Sequence, residues 1–241
     1  SIYTNLTSFN SNGFTAGSTS STNILNENAV TFVGWQWQAG QGTTSSNTSG
    51  SITSTVSVST TAGFSVVTYT GNNTASTVGH GLGTSPKFII VKDRSATNPF
   101  VVYHVDLGVQ KYIFLSATDA AYSNLANYWS STAPSSTTFG IGAYGGINTN
   151  ADNYVAYCFA EIAGFSKFGS YTGNGSTDGP FVYTGFRPAY VLVKRTDSTG
   201  NWYVWDNKRN TYNVMDITLY PNSTTADVTA SDLTIDCLSN G

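Results

Sequence analysis

The chain has 241 residues, enough for one large domain or two smaller ones at roughly 100 to 200 residues each. Aromatic residues make up 14% of it and charged residues only 10%, the reverse of a disordered chain, which is rich in charge and poor in rings. Ten basic against thirteen acidic residues leave a net charge of -3 with no run of one sign, which excludes a nucleic-acid groove or an anionic membrane surface as the partner the composition asks for.

No stretch approaches the ~18 consecutive apolar residues of a spanning helix, and the polar first residues lack the basic and apolar regions of a signal peptide. The sequence reads as soluble and unanchored. Good helix formers are scarce, while Thr, Val, Tyr, Phe and Trp fill the stretches between Gly, Asn, Ser and Thr clusters. This is a strand composition.

In chain order, the Asn12-Gly13 pair marks a turn, as do Asn174-Gly175 and Asn240-Gly241, because both residue types tolerate positive φ. Phe32-Val33-Gly34-Trp35-Gln36-Trp37-Gln38 has the pattern of Tyr154-Val155-Ala156-Tyr157-Cys158-Phe159-Ala160, with Val and two rings on one face of each stretch. Residues 41–62 read as a Ser/Thr-rich connector holding one strand, in which Ile52, Val56 and Val58 share a face. Phe88-Ile89-Ile90-Val91 is a continuous apolar run, the mark of a strand covered on both faces. The only candidate helix is the short patch from Ala117 to Tyr128.

The chain also repeats itself. Gly63-Phe64-Ser65 recurs as Gly164-Phe165-Ser166, and Tyr69-Thr70-Gly71-Asn72 as Tyr171-Thr172-Gly173-Asn174. The correspondence runs on without gaps through Gly83 and Gly185, Pro86 and Pro188, the strand-like runs starting at Phe88 and Tyr190, and Phe100 and Trp202. Residues 1–40 then read as closing strands of a preceding module, 63–163 as a complete module, and 164–241 as a second module incomplete at its C-terminal end. The second would carry an open sheet edge, covered by another chain or a continuation of this one. The expected class is all-β, with tandem antiparallel sandwich modules of the jelly-roll or lectin-like type; a barrel is the alternative.

Positions apolar in both repeats are assigned to the core, including Phe100 and Trp202, Tyr103 and Trp205, Trp35 and Tyr157, and Trp37 and Phe159. Catalysis finds little to stand on. The chain has two Glu, Glu27 and Glu161, that nothing pairs, and single Asp residues such as Asp93, Asp119, Asp178 and Asp227 in turn-like settings. His80, inside Gly79-His80-Gly81-Leu82-Gly83, and His104 follow no nucleophile-elbow or phosphate-loop pattern. Cys158 and Cys237 lack the spacing of metal ligands and are expected as small buried thiols. No catalytic residue, metal or cofactor is expected.

Sugar binding needs ring faces beside amides and charges, and Trp129, Tyr203, Trp205, Asn207 and Arg209 supply both. In Asn201-Trp202-Tyr203-Val204-Trp205-Asp206-Asn207, alternation sends Trp202, Val204 and Asp206 to one face and Tyr203, Trp205 and Asn207 to the other. The outer of those faces is either an edge-shielding surface or part of a glycan patch. Five glycosylation sequons, at Asn5, Asn47, Asn72, Asn174 and Asn222, follow from the Ser/Thr/Asn excess alone.

The stretch from Gly63 to Asn72, with Val78-Gly79-His80-Gly81-Leu82-Gly83 and Pro86-Lys87-Phe88-Ile89-Ile90-Val91-Lys92, resembles tandem modules of large virion proteins in marine and cyanobacterial tailed phages; Gly164 to Gly175 matches a second form of the same module. The resemblance spans roughly Phe14 to Gly241. It implies a non-enzymatic virion surface protein, a tail fibre adhering to host glycans by many weak contacts or a purely architectural component, with a polysaccharide depolymerase as the remaining reading. It further implies a homo-oligomer, expected as a trimer, with other virion proteins and host-surface polysaccharide as partners, and neither nucleic acid nor membrane insertion.

Overall fold

A computed structural model describes residues 6–17, 25–124 and 127–241. The chain divides into two compact units, residues 1–36 and 37–241. In the first, β1 (Leu6–Asn10) and β2 (Gly13–Ala16) form a hairpin whose register pair Asn10 and Gly13 closes on Ser11-Asn12, at the expected Asn-Gly turn. The Thr7 hydroxyl donates to the Thr15 carbonyl at 3.0 Å.

The second unit begins with β3 (Ser45–Asn47), β4 (Ser54–Ser59), β5 (Phe64–Thr70) and β6 (Ser76–Gly79). There follow β7 (Phe88–Asp93), β8 (Val101–His104), β9 (Lys111–Phe114), β10 (Tyr122–Ser123), β11 (Thr138–Ile141), the one-turn helix α1 (Gly145–Asn148) and β12 (Asn153–Phe159). Eight of these strands form one antiparallel sheet in the order β10, β9, β8, β7, β12, β5, β4, β3. The class is therefore all-β and sandwich-like, as composition indicates. β12 is the centre of the sheet, flanked by β5 on one side and β7 on the other. A sequence neighbour cannot fill that place; it is reached only after the chain has laid down both partners.

One face of the sheet is covered by the ribbon of β6 and β11. Val78, Phe139 and Ile141 from the ribbon pack with Val67, Ile89, Val91, Tyr154 and Ala156 from the sheet, all at most 1% exposed. This layer also takes Ile52, Val56 and the partly buried Val58, so the face predicted for that stretch is the buried one. Residues 41–62 are accordingly not a connector. β3 and β4 are edge strands of the main sheet, and the module extends forward to Ser45. Hydroxyl-rich sequence disguised them because their outer face is wet.

The patch 117–128 forms no α-helix in its described part; Tyr122 and Ser123 pair with Tyr112 and Lys111, Asn124 has 3-10 conformation, and residues 125–126 lie outside the described residues. Strand pairing overrides weak helical propensity here. Two tyrosines fasten α1 to the sheet: the Tyr69 hydroxyl donates to the Ile147 carbonyl at 2.8 Å, and the Tyr154 hydroxyl donates to the Gly145 carbonyl at 3.0 Å while accepting the Thr149 amide. Removing a hydroxyl would leave buried backbone groups without partners. Tyr154→Phe is expected to cost about 1 to 3 kcal/mol, read as a lowered urea midpoint with an unchanged slope.

The chain then makes β13 (Tyr190–Lys194), β14 (Trp202–Asp206), β15 (Ile217–Thr218) and β16 (Val228–Thr229). Their pairing copies that of β7 to β10. Phe88 faces His104 and Val91 faces Val101; 102 residues on, Tyr190 faces Asp206 and Val193 faces Tyr203. Val102 faces Ile113 as Val204 bridges Leu219, and Tyr122 faces Tyr112 as Val228 faces Thr218. The third and fourth strands are shifted by four residues of extra loop. The turn before each hairpin shares a glycine at positive φ, Gly83 (74°) and Gly185 (83°), a conformation a side chain resists.

The two hairpins pack back to back. Phe88, Val102 and Ile113 on the outer face of the first sheet meet Trp202 and the partly buried Leu192 of the second. Trp202 is 3% exposed and donates its indole N–H to the Phe114 carbonyl at 2.9 Å. β7 is thus covered on both faces, as its unbroken apolar run requires. The expected order of separate modules does not hold for 37–241, because this layer belongs to both.

Candidate functional site

The structure separates the residues expected to hold a glycan. Trp129 is 3% exposed and packs edge-on to Tyr103 at 5.7 Å in the main core. Trp205 is 6% exposed among Met215 and Cys237, and its indole N–H donates to the Leu233 carbonyl at 3.0 Å. Tyr203, partly buried, stacks on Trp205 at 5.8 Å, and Asn207 donates to the Tyr212 hydroxyl at 3.0 Å. Both faces of β14 are packed, so the expected outer face does not exist: the first sheet covers Trp202 and the loop carrying Ile235 covers Trp205. Of the three rings, Trp129 and Trp205 are buried and Tyr203 is half-buried.

Arg209 is equally committed. Its Nε lies 2.7 Å from Asp206 Oδ2 and its Nη2 donates to the Val204 carbonyl at 2.9 Å. Asp206 also accepts the Lys208 and Arg209 amides. Burial raises the Asp206 carboxyl, but the Arg209 guanidinium and the two amides outweigh it and hold the group below the usual carboxylate range. At the matching place in the first hairpin, His104 Nδ1 accepts the Asp106 amide at 3.2 Å. The two residues do one local job, closing a turn at a strand end.

His80, Asp93 and Glu161 are likewise held in structural contacts. His80 is fully buried; its Nδ1 accepts the Leu82 amide at 3.2 Å, so the proton sits on Nε2 and is donated to the Ser135 carbonyl at 3.2 Å. Burial pushes the His80 imidazole toward the neutral form against the opposing pull of the Ser135 carbonyl. Asp93 accepts the Ser95 and Ala96 amides and the Asn98 side chain, the Asx turn expected of it. Glu161 is ion-paired with Lys167 at 2.8 Å.

Among the described residues no three His, Cys, Asp or Glu groups gather as metal ligands, and no helix is long and apolar enough to cross a membrane. Sequon asparagines serve as caps: Asn222 accepts the Trp202 amide at 2.8 Å and Asn47 the Ser49 amide at 2.9 Å. Asn5 lies outside the described residues.

Cys158 and Cys237 are free and buried. Burial pushes both thiols up, away from the reactive thiolate. The native protein is expected to leave a thiol reagent such as Ellman's unconsumed, and to titrate two thiols once denatured; prompt reaction of either in the native state would contradict this burial.

Two shallow depressions stand out among the described residues. One, of 170 Å³, is a hydroxyl and amide surface on the wet face of β4, β5 and β12, where Thr55 and Thr68 face each other across the strands and Thr53, Thr70, Arg94 and Asn153 complete the rim. It is smaller than the ~300 Å³ of an ordinary small-molecule site. The other, of 410 Å³, follows the polar loops from Gln38 to Thr43 along the end of β4. Neither contains a pair of carboxylates.

The most conspicuous surface is apolar and unpaired. Along the edge of β13 away from β14, Val191 to Lys194 meet no strand among the described residues. The preceding stretch, 164–189, includes no strand and carries Phe165, Tyr171, Phe181 and Tyr183 at 53 to 65% exposure. In the first half the corresponding residues 64–70 are β5, held in the sheet by β12. The second half has no counterpart of β12 among the described residues, and residues 165–172 pair with no strand there, Ser166 making only an isolated bridge to Ile162.

The chain belongs to the family described as Domain of unknown function (DUF7483), whose model matches residues 1–241. Neither the curated proteins nor the solved structures contain a match.

Proposed function

We propose that this member of the DUF7483 family is a non-enzymatic structural protein of a tailed-phage particle, built to associate through sheet edges and apolar faces. One observation carries the architectural emphasis: the rings that would have stacked on sugar, Trp129 and Trp205, are packed inside the chain, while the unsatisfied surface is a strand edge with exposed rings beside it. Unpaired edges and exposed apolar surface of this kind mark interaction sites. The resemblance of the Gly63 to Lys92 stretch to virion modules supplies the setting. A surface low in charge and rich in hydroxyls and amides keeps its interactions under changing salt, since little of it is Coulombic.

A second reading, host adhesion as a tail fibre, draws on the depression lined by Thr53, Thr68, Arg94 and Asn153, which offers donors and acceptors to polysaccharide without a ring platform. Its contacts would be weak singly and depend on copy number.

Antibody raised against the full chain, applied to phage particles whose genome encodes it, tests the proposal by immunogold electron microscopy. Gold at a fixed place on intact particles is expected; label found only in lysed host cells would reject a virion role. A glycan array probed with the same protein separates the two readings, with binding lost in Arg94→Ala assigning adhesion to the depression.

A further inference from the structure

We infer that the depression on the wet face of β4, β5 and β12 is a binding site for acidic polysaccharide, taking one uronic-acid unit with its carboxylate on Arg94. The inference rests on the adhesion reading above and names the class of sugar it requires.

Arg94 is the exception among the four arginines of the chain. Arg209 is ion-paired with Asp206, Arg195 with Asp197 at 2.7 Å, and Arg187 lies over the Tyr212 ring at 5.1 Å. The Arg94 side chain has no ion pair, hydrogen bond or ring contact among the described residues, and it stands exposed on the rim of the depression. Its base is nonetheless fixed. The Arg94 amide donates to the Asn153 carbonyl at 2.8 Å, the Asn153 amide donates to the Ser95 hydroxyl at 3.0 Å, and the Asp93 carboxylate holds the intervening turn by accepting the Ser95 and Ala96 amides. Lys92 shares this face of the sheet through its pairing with Val155, but its ammonium is turned to the Asn98 carbonyl and the Phe100 ring.

Neutral donors and acceptors surround the guanidinium. Thr55 stands opposite Thr68, and Thr70 opposite Asn153, so these side chains share one face; Thr53 joins them two residues before Thr55. Within the set there is a single contact, from the Thr70 hydroxyl to Asn153 Oδ1 at 3.3 Å. The hydroxyls of Thr53, Thr55 and Thr68 and the side-chain NH2 of Asn153 therefore have no protein partner among the described residues. Tyr69 and Tyr154 complete the lining, with their hydroxyls directed to the α1 carbonyls.

This chemistry selects the sugar. No carboxylate lines the depression, so it presents a lone positive charge in a chain whose net charge is -3. A guanidinium fork matches the plane of a carboxylate with two parallel N–H···O bonds, while sugar hydroxyls suit the threonines and the amide. A uronic acid carries both groups on one ring; a neutral sugar leaves Arg94 unanswered. The volume of 170 Å³ is scaled to one unit of a longer chain. An exposed charge pair is weak alone, so retention depends on several units of polymer meeting several copies of the protein.

The full chain, immobilised at high density, tests this against polygalacturonate, alginate and hyaluronate, with dextran and dextran sulfate beside them. Retention of at least one uronate is expected, with a loss of at least about tenfold when the same polymer is methyl-esterified. Arg94→Ala should produce the same loss on the acid polymer and none on the ester, with its urea midpoint unchanged; Arg94→Lys, which keeps the charge without the fork, should fall between. Esterification removes the carboxylate without touching the fold of the protein. Equal retention of acid and ester, or undiminished retention in Arg94→Ala, overturns the inference. So does dextran sulfate held as tightly as any uronate, which would reduce the site to plain charge attraction. Dextran bound alone would keep the adhesion reading and remove only this inference, and no polymer bound at all removes both.

Discussion

Replacing Trp202 by Ala is expected to destabilise the protein by about 3 to 5 kcal/mol, the usual cost of emptying a large ring from a packed interior. Trp202 is the main side chain that the second hairpin contributes to the layer shared with Phe88, Val102 and Ile113, and its indole also caps the Phe114 carbonyl. Truncation would open a cavity and strip a backbone acceptor in one step. The loss should be uneven, with limited proteolysis cutting first in 164–241 while the main sheet resists. Urea unfolding measures the total, and a change below about 1 kcal/mol would show that the hairpin is not held by this ring.

Asp206→Asn is expected to cost about 3 kcal/mol, because it removes the nearer carboxylate from the buried Arg209 guanidinium and leaves only the half-exposed Asp227, at 4.0 Å, as a charged partner among the ion pairs described. The Asp206 and Arg209 side chains are at most 9% exposed, so water cannot take over. The same group sets an acid limit. The Asp206 carboxyl is depressed in the folded state, so its contribution is present above the unfolded value of about 3.9 and disappears as pH falls through the folded value. His80 and His104, held toward neutrality mainly by burial, contribute above about 6.5 and lose that contribution at lower pH. Stability measured against pH should therefore fall in two stages on acidification. In Asp206→Asn the lower stage should vanish and the upper one remain; an unchanged lower stage would assign it to other carboxylates.

How much of this could be read from the sequence depended on how local the cause was. The alternation of Ile52, Val56 and Val58 and the unbroken run at Phe88 state their own burial. The recurrence 102 residues on foretold a second hairpin whose register the strand pairs repeat, from Phe88 and His104 to Tyr190 and Asp206. What failed was decided by distant partners. Residues 45–59 are polar enough to pass for a linker, yet become edge strands because β5 is there to receive them. Trp205 stands in two readings, core by its match to Tyr103 and glycan patch by alternation along β14; the cluster with Met215 and Ile235, which arrives later in the chain, decides for the core. The tyrosine anchors on α1 had no sequence signal beyond an aromatic in a strand, since the carbonyls they reach belong to a turn defined by tertiary packing.

Back-to-back packing also governs how the polypeptide can be taken apart. A gene fragment ending near residue 163 would strand an oily facet at Phe88, Val102 and Ile113, and the complementary fragment would carry the matching facet around Trp202. Each piece would tend to clump in isolation, and co-expressing them should rescue both. The fragments would then serve as a split pair that reassembles, rather than as two independent folding units.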